Sequence, residues 1–263
     1  MSTAATAAGR RADGVTAIVL TLDEAEHLPG CLATLGFADA LVVVDSGSRD
    51  ATPAIAAAGG ARVVHHPFEN YSRQRQFALS QAATRWVLFV DADERVPPAL
   101  AGAVRAAVDA AARAGASAPA GYWLPRANHF WGRRLRGGGW WPDLQLRLLD
   151  RDRARYDPER AVHEVAQLDG PAGRLEAPLV HLNYASWSEF RAKQRAYADL
   201  DARRRTAEGW RFRARQYVGQ PLRVFVDRFV RQQGWRDGAL GLALAAHMAW
   251  YELRTLRALR RRR

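Results

Sequence analysis

The chain has 263 residues, 48% hydrophobic and 25% charged, with 39 basic against 27 acidic side chains and a net charge of +12. That length holds one large domain, or one domain with an appendage, around a sizeable core. The single cysteine excludes an internal disulfide, and its place in Leu28-Cys31-Leu32-Leu35, at helical spacing, reads as a small buried hydrophobe.

Residues 1–14 are Ala/Thr-rich with Arg10 and Arg11 and carry no long apolar run. They read as a disordered tail, neither signal peptide nor anchor, on a cytoplasmic protein. Four short, near-continuous apolar runs follow: Val15–Thr21, Leu41–Asp45, Ala61–His65 and Trp86–Asp91. Each has the pattern of a strand covered on both faces. Helices are expected between them at 24–36, at 50–58 with Asp50 as N-cap and Gly59-Gly60 as stop, and at 73–83. A further helix is expected from Pro97 to about Arg113, and strands at 145–149 and 177–182. The fold class is therefore α/β: a mostly parallel sheet flanked by helices in residues 15–184, with a helical region over 185–263. In that region, helices are expected near 221–233, opening at Pro221, and from Gly238 to the terminus.

The charge is unevenly spread. Residues 1–184 carry 20 basic and 20 acidic side chains, whereas 185–263 carry 19 basic and 7 acidic ones, the whole excess. A neutral body with a basic tail suits a polyanion. Gly238–Tyr251 has no formally charged residue but spans only 14 positions, too few to cross a bilayer. With Trp235, Trp250, Tyr251 and the closing arginines, residues 238–263 are expected either to lie on an anionic membrane surface or to pack on the body of the protein.

Ligands of parallel sheets bind at the carboxyl ends of the strands. Here those ends run into Thr21-Leu22-Asp23-Glu24, Asp45-Ser46-Gly47-Ser48 and Asp91-Ala92-Asp93-Glu94. Core packing has no use for so many carboxylates. Asp91 and Asp93, on one side of a strand end with Ala92 between them, are hard oxygen donors for a divalent cation, Mn²⁺ or Mg²⁺, that would neutralise a diphosphate.

These pieces, namely TLDEAEHLPGCLATL, VVVDSGSRDAT, NYSRQRQFAL, FVDADERV, GGGWWPDLQLRLL and AVHE, resemble the family-2 glycosyltransferases of GT-A fold. The resemblance runs from Val15 to about Asn183. It is nearest to the bacterial subgroup that adds sugars to lipopolysaccharide inner core, in particular its β-1,4-glucosyltransferase branch. It implies a nucleotide-sugar donor, with uridine diphosphate as the nucleotide, and a saccharide or glycolipid acceptor. Thr21, Glu24, Asp45, Arg75, Asp91 and Ala92 would line the nucleotide, and Asp91, Asp93 and His163 would be the metal ligands. Asp45 also reads as an Asx-type turn residue on its own. The chain departs from the family at Leu22-Asp23, where Lys-Asn is usual, and at Gln76, where Asn is common. Asp143, after three glycines and two tryptophans, is the first candidate for the base that deprotonates the acceptor, and Glu164 is the second. Trp140 and Trp141 suit either a sugar face or a core.

Two other enzymes and a binding protein compete. A nucleotidyltransferase needs a glycine-rich basic loop after the first strand, where TLDEAEHL is acidic and glycine-free. A methyltransferase lacks its glycine loop in the same place. A basic membrane- or RNA-binding protein would leave the carboxylates without a purpose. Nucleic acid is therefore not expected as a partner, and the protein is expected at the inner face of the cytoplasmic membrane.

Overall fold

The computed structural model describes residues 13–158, 165–210 and 213–261. In chain order the elements are β1 (Val15–Thr21), α1 (Leu28–Leu32), β2 (Ala40–Asp45), α2 (Thr52–Ala58), β3 (Arg62–His65), α3 (Tyr71–Ser80), β4 (Trp86–Asp91), β5 (Glu94–Arg95) and α4 (Pro98–Ala114). Then come β6 (Gly121–Phe130), β7 (Arg133–Arg134), β8 (Asp143–Asp150), β9 (Ala154–Arg155), β10 (Gln167–Leu168), β11 (Ala172–Arg174) and β12 (Leu179–Tyr184). Three long helices close the chain: α5 (Trp187–Ala207), α6 (Gln216–Val226) and α7 (Ala239–Arg261). The fold is the expected α/β type with a helical C-terminal region.

The chain forms two compact units, one of Met1–Pro125 with Leu144–Val180, the other of Arg126–Asp143 with His181–Arg263. The second unit thus takes in a stretch, 126–143, that lies well before the change of pattern near residue 184.

In the first unit β3, β2, β1 and β4 are parallel neighbours, and β8 joins β4 antiparallel. Alternate residues of β1 and β4 face opposite sides. Val15, Ala17, Val19, Trp86, Leu88 and Val90 enter one core with α1 and α4. Ile18, Val87 and Phe89 enter a second with Ala78 and Leu79 of α3. Fully burying a side chain of this size contributes about 1.5–3 kcal/mol, so both sheet faces hold the strands in register. That register sets Thr21 beside Asp45 and Leu20 beside Asp91, gathering the polar strand ends at one edge.

Several helix boundaries differ from expectation. Within 24–36 only Leu28–Leu32 is helical, with Pro29 in its first turn where no N–H is needed, although Leu28, Cys31, Leu32 and Leu35 are all buried as expected. Helix α2 starts at Thr52; Asp50 accepts the Thr52 N–H at 2.9 Å from one residue further out than a cap. Helix α3 starts at Tyr71, with the Asn70 side chain accepting the Arg73 N–H at 2.8 Å. Strand β6, ten residues long, was not foreseen.

In the second unit Phe130, Leu135, Tyr184, Phe190, Leu244 and Tyr251 form the core. Ser186 caps α5 by accepting the Glu189 N–H at 3.1 Å, while the Glu189 carboxylate accepts from Ala185 N at 2.8 Å. Pro221 lies inside α6, not at its start, and the helix continues as a π-turn over Asp227–Arg231. Helix α7 buries Gly241, Leu244, Ala245, Tyr251, Thr255, Leu256 and Leu259. Of the two uses foreseen for 238–251, packing is therefore the one that consumes its apolar stripe. Among the described residues no helix is long and apolar enough to cross a membrane.

Candidate active site

The strand ends of the first unit are tied by their own polar groups. Asp23 stands in the left-handed region, φ 55°, a conformation that Asn and Asp tolerate better than other side chains. Its N–H donates to Ser48 Oγ at 2.9 Å and its carboxylate accepts from Arg49 N at 2.7 Å. Glu24 N–H donates to Thr52 Oγ1 at 2.8 Å, stitching the loop after β1 to the start of α2.

Asp45, 4% exposed, accepts from Gly47 N and Ser48 N, each at 3.0 Å, and from the hydroxyls of Ser48 and Thr21. Burial opposes its charge, but these donors, Ser48 foremost, outweigh it and hold the carboxyl below the usual carboxylate range. Both oxygens are thus engaged in shaping their own turn.

The Asp91-Ala92-Asp93-Glu94 segment is organised by a residue that sequence reading did not single out. Arg147, from β8, is buried. Its Nη1 donates to Asp91 Oδ1 at 3.1 Å, and its Nη2 reaches Asp91 Oδ2 and Glu94 Oε1, the latter at 3.2 Å. Glu94, fully buried, also accepts the Asp91 N–H at 2.9 Å. Burial works against the guanidinium charge, yet Asp91 and Glu94 raise its pKa above arginine's ordinary value. Among the described residues, buried Arg147 Nε has no hydrogen-bond partner. Arg75, expected at the nucleotide, stands 3.5 Å from Asp91 Oδ1 and over the Phe89 ring. The signal that could have found Arg147 was a lone arginine in the apolar run LQLRLL, since a charge there requires buried acids.

Asp93 is half-buried, and the Ala92 methyl is part of the core. Two carboxylates at a strand end fit a hard divalent cation. Among the described residues no group of three His, Cys, Asp or Glu side chains converges as a full ligand set. His163 and Glu164 lie outside the described residues.

In the second unit Asp143 opens β8. Its Oδ2 accepts from Arg126 Nε at 2.8 Å and from Asn128 Nδ2 at 3.1 Å. Asn128, almost fully buried, holds His181 Nδ1 at 2.7 Å and Asn183 Nδ2 at 3.1 Å on its other atom. None of these four neighbours was foreseen. The glycine loop before Asp143 is not a free flap. Buried Asp237 accepts from Arg136 N at 2.8 Å and Gly137 N at 3.0 Å, and Gly138 N donates to Gln232 O at 2.7 Å. A Cβ on Gly137 would lie 2.2 Å from Gln233 O, so only glycine permits that approach. Trp140 packs edge-on to Phe130 at 4.9 Å, a core use, whereas Trp141 carries Arg134 over its ring at 4.3 Å.

Known proteins are similar to the chain in sequence. The lipopolysaccharide core biosynthesis glycosyltransferase LpsC of Rhizobium meliloti is 29% identical over 252 residues, spanning 92% of this chain and 90% of that protein. A TPR repeat-containing protein of Synechococcus elongatus is 43% identical over 84 residues, 31% of this chain and 21% of its own. A crystal structure of S. aureus TarS aligns with a TM-score of 0.45 at 18% identity, covering 70% of this chain and 39% of that one. The model of glycosyl transferase family 2 matches residues 16–161, more than half of the chain. This chain belongs to glycosyl transferase family 2.

Proposed function

We propose that the protein transfers a sugar, with inversion, from a uridine-diphosphate donor to a saccharide or glycolipid acceptor of the bacterial cell envelope. Family membership leaves neither nucleotidyl nor methyl transfer in place. The envelope acceptor is supported by the similarity to LpsC, which spans nearly the whole of both chains. The single observation that carries the donor reading is the Asp91–Asp93 strand end, where buried Arg147 orients one carboxylate and Asp93 stays half-exposed.

Thr21, Glu24 and Asp45 line the nucleotide side, with Asp45 fixing the turn that a base or ribose would meet. Asp91 and Asp93 would hold the divalent cation, with further ligands from diphosphate oxygens and water. When bound, the cation offsets the charge of the departing diphosphate. Asp143 is the base. The acceptor hydroxyl loses its proton to the carboxylate as its oxygen bonds the anomeric carbon, and the carbon–oxygen bond to the diphosphate breaks with its electron pair leaving on that oxygen. Arg126 and Asn128 hold Asp143 in one orientation for that task. Glu164 is the second candidate for the same role, and His163 the candidate third metal ligand. The protein works at the membrane's inner face as a peripheral enzyme.

Incubation with UDP-sugars and deacylated envelope glycans tests this reading. The product should carry the anomeric configuration opposite to that of the donor, read by NMR. A retained configuration, or nucleotide transfer in place of sugar transfer, overturns it.

A further inference from the structure

Helix α6 buries none of its residues. Val218, Leu222, Val226 and Val230 are 74%, 59%, 36% and 55% exposed and follow one another at every fourth position along α6 and its π-turn. Four-residue spacing keeps them on one side of the helix, so a continuous aliphatic stripe faces outward. Trp235, 57% exposed, follows one turn later. Arg213, Arg215, Arg223, Arg231 and Arg236 are exposed around the stripe, and Asp227 is the sole acid between Arg213 and Arg236.

Water gains nothing from an aliphatic stripe, and an exposed apolar row rimmed by polar side chains marks an interaction surface. The two chemistries together select its occupant. A second copy of this chain would set arginine against arginine across a symmetric contact. A nucleic acid would use the arginines but not four aliphatic side chains. An anionic phospholipid surface uses both, with acyl chains for the stripe and headgroup phosphates for its rim. Tyr217, next to Val218, also lines a cleft with Arg257, Arg260 and Arg261, adding three cationic groups from α7.

We infer that α6 with its π-turn, and not the uncharged stretch of α7, is the face by which the protein lies on anionic phospholipid. This deepens the peripheral-membrane part of the proposed function and rests on that reading.

Flotation of the full chain with phosphatidylcholine–phosphatidylglycerol vesicles, against phosphatidylcholine alone, tests it. Binding should require the anionic lipid and weaken with salt. Leu222→Glu with Val226→Glu should cut it strongly. Arg215→Gln with Arg223→Gln should cut it by about tenfold or more, since each basic side chain near an anionic surface contributes a factor of about five. Leu242→Glu, at an exposed apolar position of α7, should leave it intact. These sites are at the surface, so unchanged thermal unfolding and unchanged nucleotide binding should accompany the loss. The inference is overturned if Leu242→Glu abolishes flotation and the α6 variants do not. It is equally overturned if the α6 variants dissolve a dimer that binds no vesicles, or if RNA binds and vesicles do not. A wild type that binds vesicles through α6 but no nucleotide sugar would sink the enzyme reading and leave this one standing.

Discussion

Arg147 and Asp91 form a two-pronged ion pair, Nη1 to Oδ1 at 3.1 Å and Nη2 to Oδ2, with Glu94 closing on the same guanidinium at 3.2 Å. The arrangement fixes the first acid of the D-x-D segment before any ligand arrives, and it couples β8 to the end of β4. Removing one partner of a buried pair leaves an uncompensated charge, which costs ~3–5 kcal/mol. Arg147→Met should therefore lower stability by about that amount, measured by urea unfolding. Arg147→Lys should lose less, because it keeps the charge but not the fork. Wild-type stability in Arg147→Met would show that the pair does not hold this strand end.

Asp143→Asn should preserve donor binding and lower turnover by ~10²–10⁴-fold, the usual worth of a general base. Steady-state kinetics beside calorimetry with the donor checks this. If Glu164→Gln shows that pattern and Asp143→Asn stays active, the base is Glu164.

Asp45 makes the loop after β2 sensitive to acid. Its folded pKa lies below the ordinary value of about 3.9. The stabilisation is thus fully present above the unfolded pKa and is lost as pH falls through the folded one. Asp45→Asn, whose amide nitrogen cannot accept, should melt below wild type at neutral pH. The gap should close at the acid end, read by melting curves across pH. A gap independent of pH would deny the carboxylate its part in the turn.

Cys31 is fully buried, and burial pushes its thiol up to about 12. A thiol reagent at neutral pH should leave it unmodified until denaturant is added, because the thiolate is the reactive form. Rapid labelling of the folded protein would contradict its buried place in α1.

The parallel strands were legible because runs such as WVLFVD are apolar on both faces, and two of the four boundaries, Val15–Thr21 and Trp86–Asp91, fall where the runs end. The carboxylates that follow them were legible for the same reason, as polar residues where packing stops. Helix α1 was overdrawn, since the apolar spacing runs on to Leu35 while the helix ends at Leu32. Strand β6 was missed because its burial repeats every third residue along much of its length, not every second. Arg147 pairs with acids 56 and 53 residues away, a relation that no local pattern records. The glycine run before Asp143 carries no local sign of what anchors it, since Asp237, about a hundred residues further on, pins it.

In the proposed function Asp91 and Asp93 bind a nucleoside diphosphate sugar through a divalent cation. Titration calorimetry of UDP and its sugars, with Mn²⁺ and with chelator, tests it most directly in wild type and Asp93→Asn. Binding in wild type should require the cation and should be lost in Asp93→Asn, because a neutral amide cannot balance the metal's charge. Binding that survives both chelation and the substitution, or no binding of any nucleoside diphosphate by the wild type, would contradict it.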